Sequence, residues 1–195
     1  MPKKTAKNTK SKIISAAWKL FYEQGYEQTT VEDIIFESST SKGSFYHYFD
    51  GKDALLGTLS NLFDERYEEL EESLSDIDGA FDKLIFLNRE LFLTVENSVP
   101  IDLLSSLYSS QLTTHGERHL LDRSRFYYKL LRKIVSEGQK NGELDPDAPT
   151  DEIVKLYALC ERGFIYDWCI CGGEYSLSRY SSRMLPELMS FIRKK

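Results

Sequence analysis

Residues 29–56 read TTVEDIIFESSTSKGSFYHYFDGKDALL, and the fold follows from how this stretch divides. Thr30 is a good helix N-cap and Asp33 stands three positions on, the spacing at which the two residues satisfy each other's backbone donors. A helix therefore starts at Val31, with Val31, Ile34 and Ile35 at helical spacing. Glu37-Ser38-Ser39-Thr40 ends it, because hydroxyls that compete for backbone hydrogen bonds favour a turn. Ser41 supplies a second N-cap for a helix over Lys42 to Tyr48. At about 100° per residue, Lys42, Gly43, Tyr46 and His47 share one arc while Phe45 and Tyr48 project away from it. Two short helices around a three-residue turn make a helix-turn-helix, the shape that lays its second helix in a DNA major groove.

Two residues here are poor choices for stability alone. Gly43 inside a helix costs roughly 1 kcal/mol relative to alanine, which makes sense where another backbone approaches closely. Lys52 puts positive charge at the positive end of the next helix, which is unfavourable unless an anion such as a DNA phosphate arrives there. Taken singly, Tyr46 reads as a half-buried packing aromatic, His47 as a solvated histidine and Lys52 as a surface charge. Taken in this order and spacing, they read as one surface.

At these residues the chain resembles the tetracycline-repressor (TetR) family of bacterial transcriptional regulators. The likeness is carried by Ile13-Ile14-x-Ala16-Ala17-x-x-Leu20-Phe21, Gly25-Tyr26, Thr29-Thr30-Val31-x-Asp33-Ile34, Ser41-Lys42-Gly43-Ser44-Phe45-Tyr46, Tyr48-Phe49 and Lys52. It covers the first third of the chain, from about Ser11 to Leu56. The resemblance implies DNA contacts from Thr30, Thr40, Ser41, Lys42, Gly43, Ser44, Tyr46, His47, Tyr48 and Lys52. Ile13, Ile14, Ala17, Leu20, Phe21, Val31, Ile34, Phe45 and Phe49 read as the small core beneath them. Two departures stand out. Phe36 and Ser38-Ser39-Thr40 occupy positions where the family usually carries small residues and a glycine, so Ser39 must supply the turn geometry, with its hydroxyl bonding nearby backbone.

With 195 residues the chain can hold a DNA-binding head of about fifty residues and one larger domain. The reading divides it into a flexible basic tail (1–10), a helix-turn-helix domain (11–56) and a helical effector-binding and dimerisation domain (57–195). A formal net charge of −6 at first argues against nucleic acid, but its distribution reverses that. Residues 1 to 22 hold six lysines (Lys3, Lys4, Lys7, Lys10, Lys12 and Lys19) and no acid. Through position 60 eight lysines stand against seven acids, which leaves −7 for residues 61–195. An acidic body repels phosphate and leaves the head as the surface that docks. Three cysteines point to a reducing interior, and Lys19 and Glu23 interrupt any signal-peptide pattern, so the expected location is cytoplasmic.

Beyond the head the patterns are helical throughout: near Lys52 to Leu74, Ala80 to Asn97, Ile101 to Leu112, Glu117 to Asn141, Thr150 to Cys171 and Ser176 to Arg193. The expected fold is all-α, about nine helices in all. From Ile153 to Cys171 the charged residues are Lys155, Glu161, Arg162 and Asp167, so apolar side chains cover more than one stripe. Such a helix wants partners on two sides, and a second copy packing helices 150–171 and 176–193 into a four-helix interface supplies the outer one. The homodimer would read a palindromic operator with half-sites about 34 Å apart or a multiple of that. The resemblance implies the same arrangement.

In the helices that the family uses to wrap a ligand, Phe92, Tyr108, Tyr127, Tyr128, Tyr157, Phe164 and Trp168, with Glu96, Gln111 and Glu161, are the candidate lining of an effector cavity. The expected effector is a lipophilic small molecule, with positive charge preferred beside those acids. Cys169 and Cys171 point about 200° apart on a helix, and Cys160 and Cys171 lie about 16 Å apart along it, so neither a metal site nor a disulfide is expected. His115 and His119 are four apart but Gly116 intervenes and no acidic third ligand is well placed. No glycine-rich phosphate loop or nucleophile elbow is present, and neither cofactor nor catalysis is expected. The resemblance makes ligand-released repression the default, with activation open. The contrasting readings are a helical lipid- or small-molecule-binding protein and an enzyme of unrecognised type, neither of which should bind DNA.

Overall fold

A computed structural model describes residues 3–113 and 118–194, with side chains from Thr9 onward. Among the described residues the only extended pairing is an isolated antiparallel bridge between Leu144 and Arg193. The rest is helical: α1 (Lys3–Gln24), α2 (Val31–Glu37), α3 (Lys42–Tyr48), α4 (Asp53–Leu56), α5 (Leu59–Ser73), α6 (Ala80–Ser98), α7 (Ile101–Thr113), α8 (Phe126–Lys140), α9 (Thr150–Ile170) and α10 (Leu177–Leu188). No helix among the described residues is long and apolar enough to cross a membrane. The chain forms two compact units, Met1–Asn61 with Pro100–Leu120 and Leu62–Val99 with Leu121–Lys195.

In the first unit α1 packs on α2 and α3, and α7 packs on α4. Helix α1 begins at Lys3, inside the stretch read as a basic tail, and Gly25 closes it at φ 87°, a left-handed conformation that glycine adopts without strain. Ile13, Ala17, Phe21, Ile34, Phe45 and Phe49 are buried as expected, whereas Ile14, Leu20 and Val31 are only half-buried. Leu103, Leu104 and Leu107 of α7 are fully buried, so this unit's core draws on residues far along the chain.

The single helix expected over Lys52 to Leu74 is broken. Helix α4 ends at the Gly57 cap, α5 starts at Leu59, and a 3-10 turn follows at Leu74–Asp76. At the break the bonding tightens to three-residue turns: Leu55 O accepts the Thr58 N–H at 3.0 Å and Gly57 O the Ser60 N–H at 3.2 Å, and the Thr58 and Ser60 hydroxyls donate to the same two carbonyls at 2.6 Å each.

In the second unit α10 lies along α6, α8 packs on α6 and α9, and α9 touches α10. The buried face of α5 runs Phe63, Tyr67, Leu70 at helical spacing. Helix α8 starts at Phe126 rather than in the region of Glu117, which lies outside the described residues. Asp122 Oδ1 accepts the Ser124 N–H at 2.8 Å, a turn that stops any earlier start. Asp64 of α5 then caps α8, holding the Arg125 guanidinium at 2.9 and 3.0 Å and the Tyr127 N–H at 3.2 Å. At the other end of the unit Glu96 accepts from Ser178 N–H at 3.1 Å and Ser178 Oγ at 2.7 Å, capping α10.

Candidate nucleic-acid interface and polar core

The two helices of the helix-turn-helix are set by local bonds. Thr30 Oγ1 accepts the Asp33 N–H at 3.1 Å, and Asp33 Oδ2 accepts the Thr30 N–H at 2.9 Å, closing the expected capping box. The Thr30 hydroxyl and N–H hold the Asp33 carboxyl below the usual range. Ser41 Oγ accepts the Ser44 N–H at 3.1 Å and opens α3. Between them Ser39 takes φ 52°, the one positive φ of a non-glycine residue among the described residues. This is the glycine-like geometry expected of it, at a cost of about 1–2 kcal/mol. The hydroxyl that steadies the turn is Ser38's, which donates to Ile35 O at 3.2 Å and lies 2.8 Å from Thr40 Oγ1.

Helix α3 has two faces. Phe45 is fully buried, T-shaped against Tyr46 and tilted against Phe49. Ser41, Lys42, Gly43, Tyr46 and His47 are exposed, with Ser44, Tyr48 and Thr40 half-buried at the margin and Thr30 exposed at the head of α2. Lys42 Nζ lies 3.4 Å from Glu32 Oε1, a pair so exposed that its stabilisation is small and the lysine can turn to another anion. A Cβ at Gly43 would meet nothing nearer than Ser41 Oγ at 4.0 Å, so nothing among the described residues explains that glycine. Phe36, which sequence reasoning treated only as a departure, is 85% exposed one helical turn beyond Glu32. Because Glu32 reaches Lys42, that face of α2 adjoins the open edge of α3.

Lys52 differs from a lysine awaiting a phosphate. Its ammonium donates to Tyr26 O at 2.8 Å, Thr29 O at 3.1 Å and Glu27 O at 3.3 Å, and sits 4.3 Å from the Tyr26 ring centroid. Three carbonyls supply the negative end that the helix-dipole argument assigned to DNA. The Tyr26 hydroxyl bonds Asp53 in turn, and burial, with that carboxylate, pushes its pKa far up. Lys52 thereby ties the loop before α2 to the start of α4.

The candidate cavity residues separate. Tyr108 and Gln111 lie on α7 in the first unit, where Gln111 Oε1 accepts the Leu120 N–H at 3.3 Å. The others belong to the second unit. Phe92 and Phe164 are buried edge to face at 6.3 Å, and the Trp168 indole donates to Tyr175 O at 2.8 Å. Glu96 caps α10 and Tyr128 accepts from Arg162 at 3.3 Å. Glu161, Tyr127 and Tyr157 form one polar cluster, joined by Asn88 and by Tyr67, which sequence reasoning missed although its spacing from Phe63 and Leu70 marks the apolar face of α5.

Glu161 is buried and takes bonds from neutral donors: Tyr127 Oη at 2.6 Å, Asn88 Nδ2 at 3.1 Å and Tyr67 Oη at 3.2 Å. Tyr157 beside it donates to Leu84 O at 2.8 Å. Burial pushes the carboxyl up, against hydrogen bonds that pull it down, and it pushes all three tyrosines up as well. A raised folded-state pKa means that the folded chain holds this proton more tightly than the unfolded chain does. Glu161's share of stability is then full at pH below the ordinary carboxylate value and is lost as pH rises through the folded value. Urea titrations from acid to neutral pH should show wild-type stability falling with pH relative to Glu161→Gln; parallel curves would refute the shift.

The three cysteines are free thiols, and burial pushes that of Cys160 up. His115 lies outside the described residues, and His119 packs so closely on Gly57 that a Cβ there would collide with its ring.

A capped two-helix motif with an open glycine on its second helix, followed by an all-helical unit, defines a helix-turn-helix DNA-binding regulator. Residues 13–59 match the family model described as bacterial regulatory proteins, tetR family. Over 172 residues the chain is 38% identical to the HTH-type transcriptional regulator HbdR of Aromatoleum sp. (strain CIB), covering 86% of this chain and 71% of that protein. The chain belongs to the tetR family of bacterial regulatory proteins. It is also 28% identical over 145 residues to the HTH-type regulator YvdT of Bacillus subtilis, covering 74% and 73% of the two chains. In fold it resembles Thermus thermophilus FadR, a TetR-family transcriptional repressor solved with lauroyl-CoA, at a TM-score of 0.77 and 22% identity over 95% of each chain.

Proposed function

We propose that this regulator is a repressor that binds a palindromic operator as a homodimer and is released when a lipophilic small molecule enters the second unit. The observation that carries it is the open edge of α3, where a helix-weakening glycine has no neighbour among the described residues nearer than 4.0 Å. Thr30, Thr40, Ser41, Ser44 and Tyr48 frame that edge, Lys42, Tyr46 and His47 reach from it, and Phe36 extends it along α2. Lys52 acts from behind, holding the loop that positions α2. The likeness to a repressor bound to lauroyl-CoA supports an amphiphilic effector. Such a protein works in the cytoplasm, beside DNA, and is not an enzyme.

Dimerisation has its own support. On α9 the exposed residues Leu159, Gly163, Tyr166 and Ile170 form one arc at three- and four-residue spacing, and Leu188 and Phe191 are exposed apolar residues at and just beyond the end of α10. Among the described residues a Cβ at Gly163 would meet nothing within 4 Å.

Fluorescence anisotropy with the gene's own upstream DNA tests the reading. Affinity should be roughly nanomolar and should fall steeply with salt as phosphate contacts release counterions. Lys42→Ala should change sequence preference, with about 1–3 kcal/mol lost at the base it reads. Phe36→Ala should weaken binding at an unchanged salt slope, because an apolar contact releases no counterion. Binding to random duplex as tight as to upstream DNA would sink the proposal.

A further inference from the structure

The second unit carries a groove of about 210 Å³ between α8, α9 and the segment before α8. Four cations line it, Arg123, Arg132, Lys155 and Arg162, against one carboxylate, Asp151. Asp151 is shared, 3.1 Å from Arg132 Nε and 3.7 Å from Arg123. Arg162 donates to the Tyr128 hydroxyl, and no carboxylate among the described residues comes within ion-pair distance of Lys155 or Arg162. Leu121, Val154 and Ala158 give the groove an apolar floor.

This charge runs against its surroundings. Residues 61–195 carry −7, yet the groove holds three positive charges in excess of its carboxylate. Positive charge concentrated in a cleft of an acidic body focuses the field there and draws multivalent anions. On α9, Asp151, Lys155, Ala158 and Arg162 share one arc, distinct from the buried arc of Tyr157, Glu161, Phe164 and Trp168 and from the exposed apolar arc. The two acids that favoured a cationic effector are both engaged: Glu96 caps α10, and Glu161 lies within neutral donors.

We infer that this groove binds the head of the effector and that the head bears phosphate groups, attached to an apolar tail. The inference rests on the ligand-responsive reading above and names the chemistry of its ligand. A single carboxylate would leave two of the excess charges uncompensated. A phosphate carries up to about two negative charges and a head with two or more phosphates matches the excess, while arginine forks match phosphate oxygens two at a time. The apolar floor receives the first part of the tail.

The test uses the full-length protein with palmitoyl-CoA, palmitate, coenzyme A without a chain, and inorganic pyrophosphate, by isothermal titration calorimetry over a salt series. Palmitoyl-CoA should bind at least tenfold more tightly than palmitate, and increasing salt should weaken it more than it weakens palmitate. Lys155→Gln with Arg162→Gln should weaken palmitoyl-CoA by roughly tenfold or more, since hydrogen bonds to charged groups are the strong ones. Asp151→Asn should tighten it by freeing Arg123 and Arg132, an effect opposite in sign that a misfolded variant would not give. Equal binding of palmitate and palmitoyl-CoA, unchanged binding by the double variant, or no binding of any amphiphile would overturn the inference. Operator binding by ligand-free wild-type protein decides the DNA reading separately.

Discussion

Gly43→Ala is expected to melt above the wild type and to lose most of its operator affinity. The two effects have separate causes. In a helix interior alanine is favoured over glycine by roughly 0.5–1 kcal/mol, because glycine loses more conformational freedom on folding. Nothing in the folded chain opposes the gain, since the nearest atom to the new Cβ is Ser41 Oγ at 4.0 Å. The melting temperature should therefore rise by a few degrees, about 4–8 °C per kcal/mol in a unit of this size. On DNA the proposed docking puts the same methyl between the α3 backbone and the groove edge, where it should lift Lys42 and Tyr46 away from the contacts proposed for them. If each half-site loses about 1–3 kcal/mol, a dimer loses about 2–6 kcal/mol, or roughly 30- to 10⁴-fold in affinity. Differential scanning fluorimetry and anisotropy on one preparation check both halves. A variant that melts higher and still binds fully would remove Gly43 from the DNA face.

The caps of α2 and α3 were legible in the sequence because their physics is local. Thr30 with Asp33 and Ser41 with Ser44 act within four residues, and no distant part of the chain competes for them. The turn was half legible: that a serine must enter left-handed space follows from the missing glycine, but three hydroxyls in a row leave open which one bonds. Lys52 shows where local rules stop. The dipole argument needed a negative partner at the start of α4, and the chain supplies one from carbonyls 23 to 26 residues upstream. The break at Gly57 was hidden because Leu55, Leu56, Leu59 and Phe63 keep an apolar rhythm across it, while the hydroxyls of Thr58 and Ser60 choose their carbonyls only after folding. The polar core was the least legible. Tyr67 and Glu161 stand 94 residues apart, and no periodicity announces that a glutamate on an apolar helix will gather tyrosines from two others and an asparagine from a third.

Leu159→Glu combined with Ile170→Glu is expected to give a monomer that binds operator about 10²- to 10⁴-fold more weakly. Both side chains are more than half exposed, at 56% and 65%, on the α9 arc that also holds Gly163 and Tyr166. Opposite that arc α9 already buries Val154, Tyr157, Phe164 and Trp168, so the charges enter no core and each unit's fold should persist. What they oppose is a second copy, because a two-fold axis brings each new carboxylate against its own counterpart or an apolar neighbour. The affinity loss follows from valency. Once one half-site is held, the partner's α3 meets the other at an effective concentration that can be millimolar, and that gain disappears in the monomer. Sedimentation equilibrium should show one protomer where the wild type shows two, and melting curves should show α-helical content unchanged. A variant that remains dimeric, or a monomer that holds the palindrome as tightly as wild type, would mean that α9 presents this arc to something other than its own copy.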